Sequence, residues 1–308
     1  MYRCTGCGII SEKELCDRCF RIRHYNDYKR VNLDFKEVNK LLDEIKEEDL
    51  KILVIDLLNI PQDLSKIETK LKSNTILVLA KFDLMPTNNE ARYLEYFNKY
   101  SINFIDKFCI SSKNNYNIDE LYESIKNNCL NKKVYFIGFT NAGKSSLINK
   151  IIYNYSNIDT IITTSSLPNT TLDIISIKID SMNLIDTPGI VLENWENSIE
   201  DYILKKLHKS KRIKPITYQI KEKQYIVIEN IIKLEVEKND IIIYVPSNLS
   251  VKRYYKENDI LNDLNYETLQ IEKVSDIVIP EIGFVKVMKE GNIRIKKACE
   301  IFIRDNLI

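Results

Sequence analysis

Lys133-Val-Tyr-Phe-Ile-Gly138-Phe-Thr-Asn-Ala-Gly143-Lys144-Ser145-Ser146 is the stretch on which the reading of this chain turns. An apolar run of strand type stops at Gly138, and helical spacing takes over through Ser146–Tyr153. A glycine-bearing turn held between a strand and a helix is the context that a phosphate-cradling loop requires. Gly138 and Gly143 let the backbone wrap a β-phosphate, with Asn141, Ala142 and Ser146 in the same loop and helix start. Lys144 would neutralise β/γ charge and Ser145 would ligate Mg²⁺, while the first turn of the helix offers free N–H groups.

Upstream, Ile52–Leu58, Thr75–Ala80, Asn103–Ile110 and Lys133–Gly138 are continuous β-type runs that read as strands buried on both faces. Between them 62–72, 88–100 and 117–128 carry helical spacing, as does Leu33–Ile45. The alternation predicts an α/β fold: a mostly parallel sheet covered by helices, with ligands beyond the carboxyl ends of the strands. Downstream, Asp186-Thr-Pro-Gly189 follows a short apolar strand, Met182–Ile185. That is the place for a second Mg²⁺ carboxylate, Asp186, and for a Gly189 N–H that senses a γ-phosphate. Pro168-Asn-Thr170-Thr171-Leu-Asp173 leads into a strand expected at Leu172–Ile179. Thr170 or Thr171 could close over Mg²⁺ there, although a Thr-Thr pair at a strand start is also plain β-propensity.

Two further strand ends carry a base-recognition pattern. Guanine needs an acceptor for its N1–H and exocyclic amine, which both oxygens of one aspartate supply. Ala80-Lys81-Phe82-Asp83 provides Asp83 and Lys81 at the end of a buried strand. The usual motif begins with Asn or Thr, so Ala80 forfeits a side-chain hydrogen bond worth ~1 kcal/mol. Ser111-Ser112-Lys113 follows the next strand and fits a companion loop whose backbone N–H meets the guanine carbonyl. Each tripeptide taken alone is an ordinary loop. Their order is what raises them: base motif, companion loop, phosphate loop, threonine loop, then Asp-Thr-Pro-Gly. Phosphate-loop proteins ordinarily begin with the phosphate loop. Joining the old termini and opening the chain elsewhere preserves every strand-end contact, because the termini of such domains lie close together. This order also puts the switch region directly before the C-terminal part, which could receive the loss of a γ-phosphate as a tilt or release.

Cys4-x₂-Cys7 and Cys16-x₂-Cys19 suit tetrahedral Zn²⁺ in a closed structural site. Metal there would contribute on the order of 10 kcal/mol of folding energy to residues 1–27, a segment too short for a core. Cys109, Cys129 and Cys299 read as small buried hydrophobes. Residues 28–209 are expected to form the nucleotide domain. A lysine-rich helical segment, Ile199–Lys214, leads to Pro215, and 210–308 reads as a small β-rich or α+β domain from alternating runs such as Gln224–Val227, Ile231–Val236, Ile241–Val245 and Gly283–Val287.

With these motifs in this order, a cysteine knuckle ending in His24-Tyr25-Asn26 and a C-terminal domain, the chain resembles the YqeH family of circularly permuted ribosome-assembly GTPases over essentially its whole length. The RsgA-like group is less similar, since it is expected to carry an OB-fold before the GTPase and its zinc site after it. The resemblance implies GTP/GDP binding, GTP hydrolysis and a role in maturing the small (30S) ribosomal subunit, with residues 210–308 contacting RNA or protein. Ile190 stands where Ras-type proteins place a water-orienting glutamine, so something else must assist hydrolysis. Asn141 matches the residue that in related GTPases helps bind K⁺, which implies slow, potassium-stimulated turnover. Ile190, Ala80 and Asn169 leave a second reading open, a nucleotide-gated RNA-binding scaffold with negligible hydrolysis.

Composition bounds the partners. The net charge of +1 excludes a bulk polycation, so an RNA surface must be local. Candidates are the aromatic-interleaved basic residues of 1–30 and the run Lys205, Lys206, Lys209, Lys211, Arg212 and Lys214, each of which charge alone equally allows as a solvated face. No run approaches the roughly 18 apolar residues of a membrane helix, and the cysteine motif follows the first residues without a signal peptide. The expectation is a cytoplasmic protein without membrane or DNA partners.

Overall fold

A computed structural model describes residues 2–3, 10–13, 40, 42–61, 64–68, 71, 73–130, 133–139, 142–155, 161–166, 173–187, 189–190, 212–280 and 282–308. Cys4, Cys7, Cys16, Cys19, Asn141, Thr170, Thr171 and the basic run up to Lys211 lie outside the described residues. Near the start, Tyr2–Arg3 pairs antiparallel with Ile10–Ser11. Contacts divide the chain into two units, one of Met1–Leu57, Asp63–Asp83 and Phe97–Leu192 and one of Leu58–Gln62, Leu84–Tyr96 and Glu193–Ile308.

The first unit is built on strands β1 (Leu50–Asp56), β2 (Thr75–Ala80), β3 (Phe104–Cys109), β4 (Lys133–Gly138), β5 (Ile161–Ser166), β6 (Asp173–Ile179) and β7 (Met182–Asp186). They form one seven-stranded sheet in the order β3-β2-β1-β4-β7-β6-β5. The run from β3 to β7 is parallel, and β6 and β5 extend it antiparallel. β1 and β2 are buried throughout, which is why they read as unbroken apolar runs rather than alternating ones. Helix α1 (Ile118–Asn128) buries Ile118, Leu121, Tyr122 and Ile125, and α2 (Lys144–Tyr155) buries Leu147, Ile148, Ile151 and Ile152. This i, i+3, i+4 spacing is one apolar stripe per helix, packed with Ile52, Val54, Val78 and Phe136 in a single core.

One local expectation changes and one strand is added. The helical spacing of 88–100 resolves into a short helix, Glu90–Glu95, and a 3₁₀ turn, Tyr96–Lys99. Within 62–72, Ser65–Glu68 is α-helical, and 62, 63, 69, 70 and 72 lie outside the described residues. β5 has no counterpart in the sequence reading, yet its Ile-Ile-Thr-Thr run is β-branched and suited to a sheet-edge hairpin.

The second unit is β-rich. Ten strands run from β8 (Ile216–Ile220), β9 (Gln224–Ile228), β10 (Ile232–Val236), β11 (Asn239–Tyr244) and β12 (Val251–Tyr254) through β13 (Glu267–Ile271), β14 (Ser275–Ile279), β15 (Gly283–Val287), β16 (Gly291–Lys297) and β17 (Phe302–Asp305). They make two five-stranded sheets, β8-β11-β15-β14-β17 and β12-β9-β10-β16-β13, in which every pairing is antiparallel. Ile226, Leu234 and Ile295 of one sheet and Ile241, Ile277 and Val285 of the other share one core, a two-sheet packing. Of the two expectations for the C-terminal part, the β-rich one matches: no helix occurs among the described residues of 212–308. The same unit includes 84–96, where Ile213 N–H donates to Leu84 O at 2.9 Å and Arg212 donates from Nε to Met85 O at 3.0 Å and from Nη2 to Asn88 Oδ1 at 2.8 Å.

Candidate nucleotide-binding site

Parallel register levels five strand ends at one edge. Asp56 of β1 lies opposite Ala80 of β2, Val54 opposite Gly138 of β4, and Phe136 opposite Asp186 of β7, while Leu79 lies opposite Cys109 of β3. Parallel strands all point their carboxyl ends the same way, so the loops that leave them converge. The base, companion, phosphate and Asp-Thr-Pro-Gly segments are those loops.

In the phosphate loop both glycines have a stated reason. A Cβ on Gly138 would lie 2.2 Å from the Val54 carbonyl oxygen, so the approach of β1 to β4 admits no side chain. Gly143 sits at φ +96°, and a Cβ there would meet the Ala80 methyl at 3.7 Å. Ala142 is buried and Ser146 exposed. Lys144, 7% exposed, donates to its own loop, at 2.8 Å to Gly138 O and 3.1 Å to Phe139 O. Burial pushes its ammonium down to about 8, against the opposing pull of Asp186. A buried cation bonded to backbone carbonyls gains a better partner when phosphate oxygens arrive.

Ser145 Oγ donates to Asp186 Oδ2 at 2.8 Å, while Asp186 Oδ1 is buried without a hydrogen-bond partner among the described residues. A hydroxyl and a carboxylate with an open oxygen are hard ligands that fit Mg²⁺, which takes few protein ligands and fills its octahedron with phosphate and water. No group of three or more His, Cys, Asp or Glu suited to a metal occurs among the described residues. Thr187 Oγ1 donates to Phe136 O at 2.7 Å, and Ile190 N–H donates to Gly138 O at 3.0 Å. Ile190 is 2% exposed, so its side chain is core and faces no water. Gly189 is half-buried between them.

At the base end Ser111 Oγ donates to Asp83 Oδ1 at 2.8 Å, which ties the companion loop to the base motif. Ser111 is buried, its backbone pairs with Tyr116 in both directions at 3.2 and 3.0 Å, and Tyr116 stacks on Phe82 at 5.5 Å. Ser112 is half-buried and Lys113 exposed. Lys81 has φ +63° and pairs with Asp56 at 2.7 Å. The structure thus gathers Asp83 with Ser111 and Lys144 with Ser145 and Asp186. Asp56 is the residue that motif reading misses; the available signal is an acidic residue closing an apolar strand at the edge where the motifs lie.

Comparison with known proteins agrees with this geometry. Residues 35–195, over half of the chain, match the family model described as RsgA GTPase. The chain belongs to the RsgA GTPase family. Residues 133–274 of this RsgA-family GTPase also match a model described as 50S ribosome-binding GTPase. The uncharacterized protein YqeH of Bacillus subtilis (strain 168) is 28% identical over 361 aligned positions, covering 99% of both chains. GTPase Der of Karelsulcia muelleri (strain GWSS) is 30% identical over 206 positions, 60% of this chain and 44% of its own. Genetic interactor of prohibitins 3, mitochondrial, of Vanderwaltozyma polyspora is 22% identical over 259 positions, 71% and 45%. The resemblance to the YqeH family of circularly permuted GTPases therefore holds from end to end. The distinction from the RsgA-like group by domain order concerns what lies outside residues 35–195; the permuted GTPase part is common to both.

Proposed function

We propose that this RsgA-family GTPase acts in ribosome biogenesis on the small (30S) subunit, with Asp83 selecting guanine, Ser111–Lys113 flanking the base, and Lys144, Ser145, Asp186 and a threonine of 170–171 handling phosphate and Mg²⁺. The observation that carries the reading is the convergence of the Asp83–Ser111 and Lys144–Ser145–Asp186 clusters on one edge of one parallel sheet. Mg²⁺ would neutralise phosphate charge there, and Gly189 N–H would register the γ-phosphate. Asn141 is assigned to K⁺, and Cys4, Cys7, Cys16 and Cys19 to Zn²⁺. The zinc reading is supported by the donor chemistry of two Cys-x₂-Cys pairs and by the pairing of Tyr2–Arg3 with Ile10–Ser11, which brackets the first of them. Residues 210–308 are assigned to RNA or protein contacts, and the setting is cytoplasmic; no helix among the described residues is long and apolar enough to cross a membrane.

Mant-GDP and mant-ADP titrations in KCl, with Asp83→Asn alongside, test the base site: guanine preference that the variant abolishes is expected, and equal affinity for both nucleotides rejects it. Co-sedimentation with separated 30S and 50S subunits then tests the partner. The small-subunit reading rests on the YqeH resemblance, whereas one matching family model is described as 50S ribosome-binding, so GTP-dependent capture by 50S alone overturns it.

Burial of Ile190 favours a second reading, a nucleotide-gated scaffold with negligible hydrolysis. Single-turnover hydrolysis with added subunits, in KCl and in NaCl, separates the two. Product formation stimulated by K⁺ supports the enzyme, and equal rates in both salts remove the K⁺ assignment.

A further inference from the structure

Asp56 is 3% exposed, closes β1, and belongs to none of the nucleotide motifs. Its carboxylate pairs at 2.7 Å with Lys81 Nζ, whose side chain is 34% exposed. Burying a carboxylate beside a lysine that still reaches solvent is a weak way to stabilise a sheet, since an apolar residue at such a position is usually no less stable. The position is better explained by where it lies. β1 and β2 pair in register with Asp56 opposite Ala80, and Leu57 N–H donates to Ala80 O at 3.3 Å, so the β1 end holds the base motif at its first residue, Ala80, and, through Asp56, at its second, Lys81. That first residue is the one that lacks the usual amide: the Ala80 methyl, which a Cβ on the phosphate-loop Gly143 would meet at 3.7 Å, can make no hydrogen bond. Lys81 itself adopts a left-handed conformation, φ +63°, which a side-chain-bearing residue keeps only where its surroundings hold it.

We infer that Asp56 is a positioning residue for guanine-nucleotide binding: by fixing Lys81 two residues before Asp83, it supplies the anchorage of the base loop that Ala80 cannot. The inference rests on the base-site reading above and adds a residue to it. Because Asp56 acts through Lys81 and not on the guanine edge, its loss weakens GDP and IDP alike, whereas Asp83→Asn discriminates between bases.

Mant-GDP affinity measured by titration, with IDP and inorganic pyrophosphate as competitors, tests this on the full chain in the wild type, Asp56→Asn, Asp56→Glu, Lys81→Met and the Asp56→Asn/Lys81→Met double variant. Expected is a roughly tenfold loss for Asp56→Asn, equal for GDP and IDP, partly restored by Asp56→Glu, absent in the Lys81→Met background, and without change in pyrophosphate affinity. Loss of pyrophosphate affinity in step with GDP, or the same tenfold loss with Lys81 already replaced, makes Asp56 merely structural and overturns the inference. Should Asp56→Asn fail to fold, Lys81→Met, at a half-exposed position, carries the test, and unchanged GDP affinity in that variant overturns it. A wild type that binds mant-ADP as well as mant-GDP removes the base site and the inference together, whereas guanine preference in the wild type with a neutral Asp56→Asn removes the inference alone.

Discussion

The two units place their buried charges differently. In the parallel sheet Asp56, Lys144 and Asp186 stand at or just beyond the carboxyl ends of strands, on one edge, and Asp186 keeps an oxygen unpaired. In the antiparallel sheets charges sit within strands and pair across them: Glu235 of β10 accepts from Arg294 of β16 at 3.0 and 3.1 Å, and Asp276 of β14 accepts from Arg304 of β17 at 3.3 Å. Parallel strands collect their loops on one side, whereas antiparallel strands alternate their ends and offer no common edge. Charges at the carboxyl edge of the first sheet therefore read as ligand-directed, whereas Lys51, buried at the opposite end of β1, bonds to the Asp49 carbonyl beside it and the strand charges of the second unit are cross-strand links.

Asp276→Ala is expected to have the largest effect on stability. Burial pushes the Asp276 carboxyl up despite the nearby Arg304 guanidinium, so the pair is costly to bury, but removing one partner strands an Arg304 side chain that is only 2% exposed. Chemical denaturation should show a loss of about 3–5 kcal/mol with mant-GDP affinity unchanged; a matching fall in affinity breaks the division of roles. Lys144→Ala is the converse. Nucleotide affinity should fall by about a hundredfold, ~3 kcal/mol, while the denaturation midpoint without nucleotide holds or rises, because a desolvated ammonium has been removed.

Affinity should also depend on pH through the same lysine. Burial pushes the Lys144 ammonium down to about 8, and phosphate would raise that value by stabilising the charge, so binding is expected to take up a proton above pH 8. Mant-GTP affinity should fall about tenfold between pH 7 and 9 in the wild type and stay flat in Lys144→Ala, as proton linkage requires. The smallest effect is assigned to Glu235→Gln. Arg294 is about half exposed, so solvent screens the pair, and a loss of less than about 1 kcal/mol is expected in denaturation; a larger loss shows that mid-strand charges carry more than cross-strand pairing.

Strand-end motifs were legible because each is local. Gly138 to Ser145 lies within one turn of chain, and Asp83 and Ser111 each follow an apolar run that names its own strand. β9, β10 and β15 were legible because each is a short alternating run. Lys233 and Glu235 were not: as charges in a strand they read as solvent-facing, yet both are buried, with Lys233 Nζ donating to Asn258 O at 2.6 Å. The helix expected over 88–100 stops early, its tail taking 3₁₀ form, because helical spacing reports an apolar stripe without fixing how far the backbone follows it.

The amino-acid sequence by itself determined that this chain carries a phosphate loop, a base motif and a switch turn in permuted order, since those signatures depend on neighbours along the chain. Only the tertiary structure decided that Asp56 meets Lys81, that Ser145 meets Asp186, and that Val54 leaves no room for a side chain at Gly138. Each of those contacts joins residues far apart in sequence, and sheet register, set by packing across the whole core, is what brings them within bonding distance.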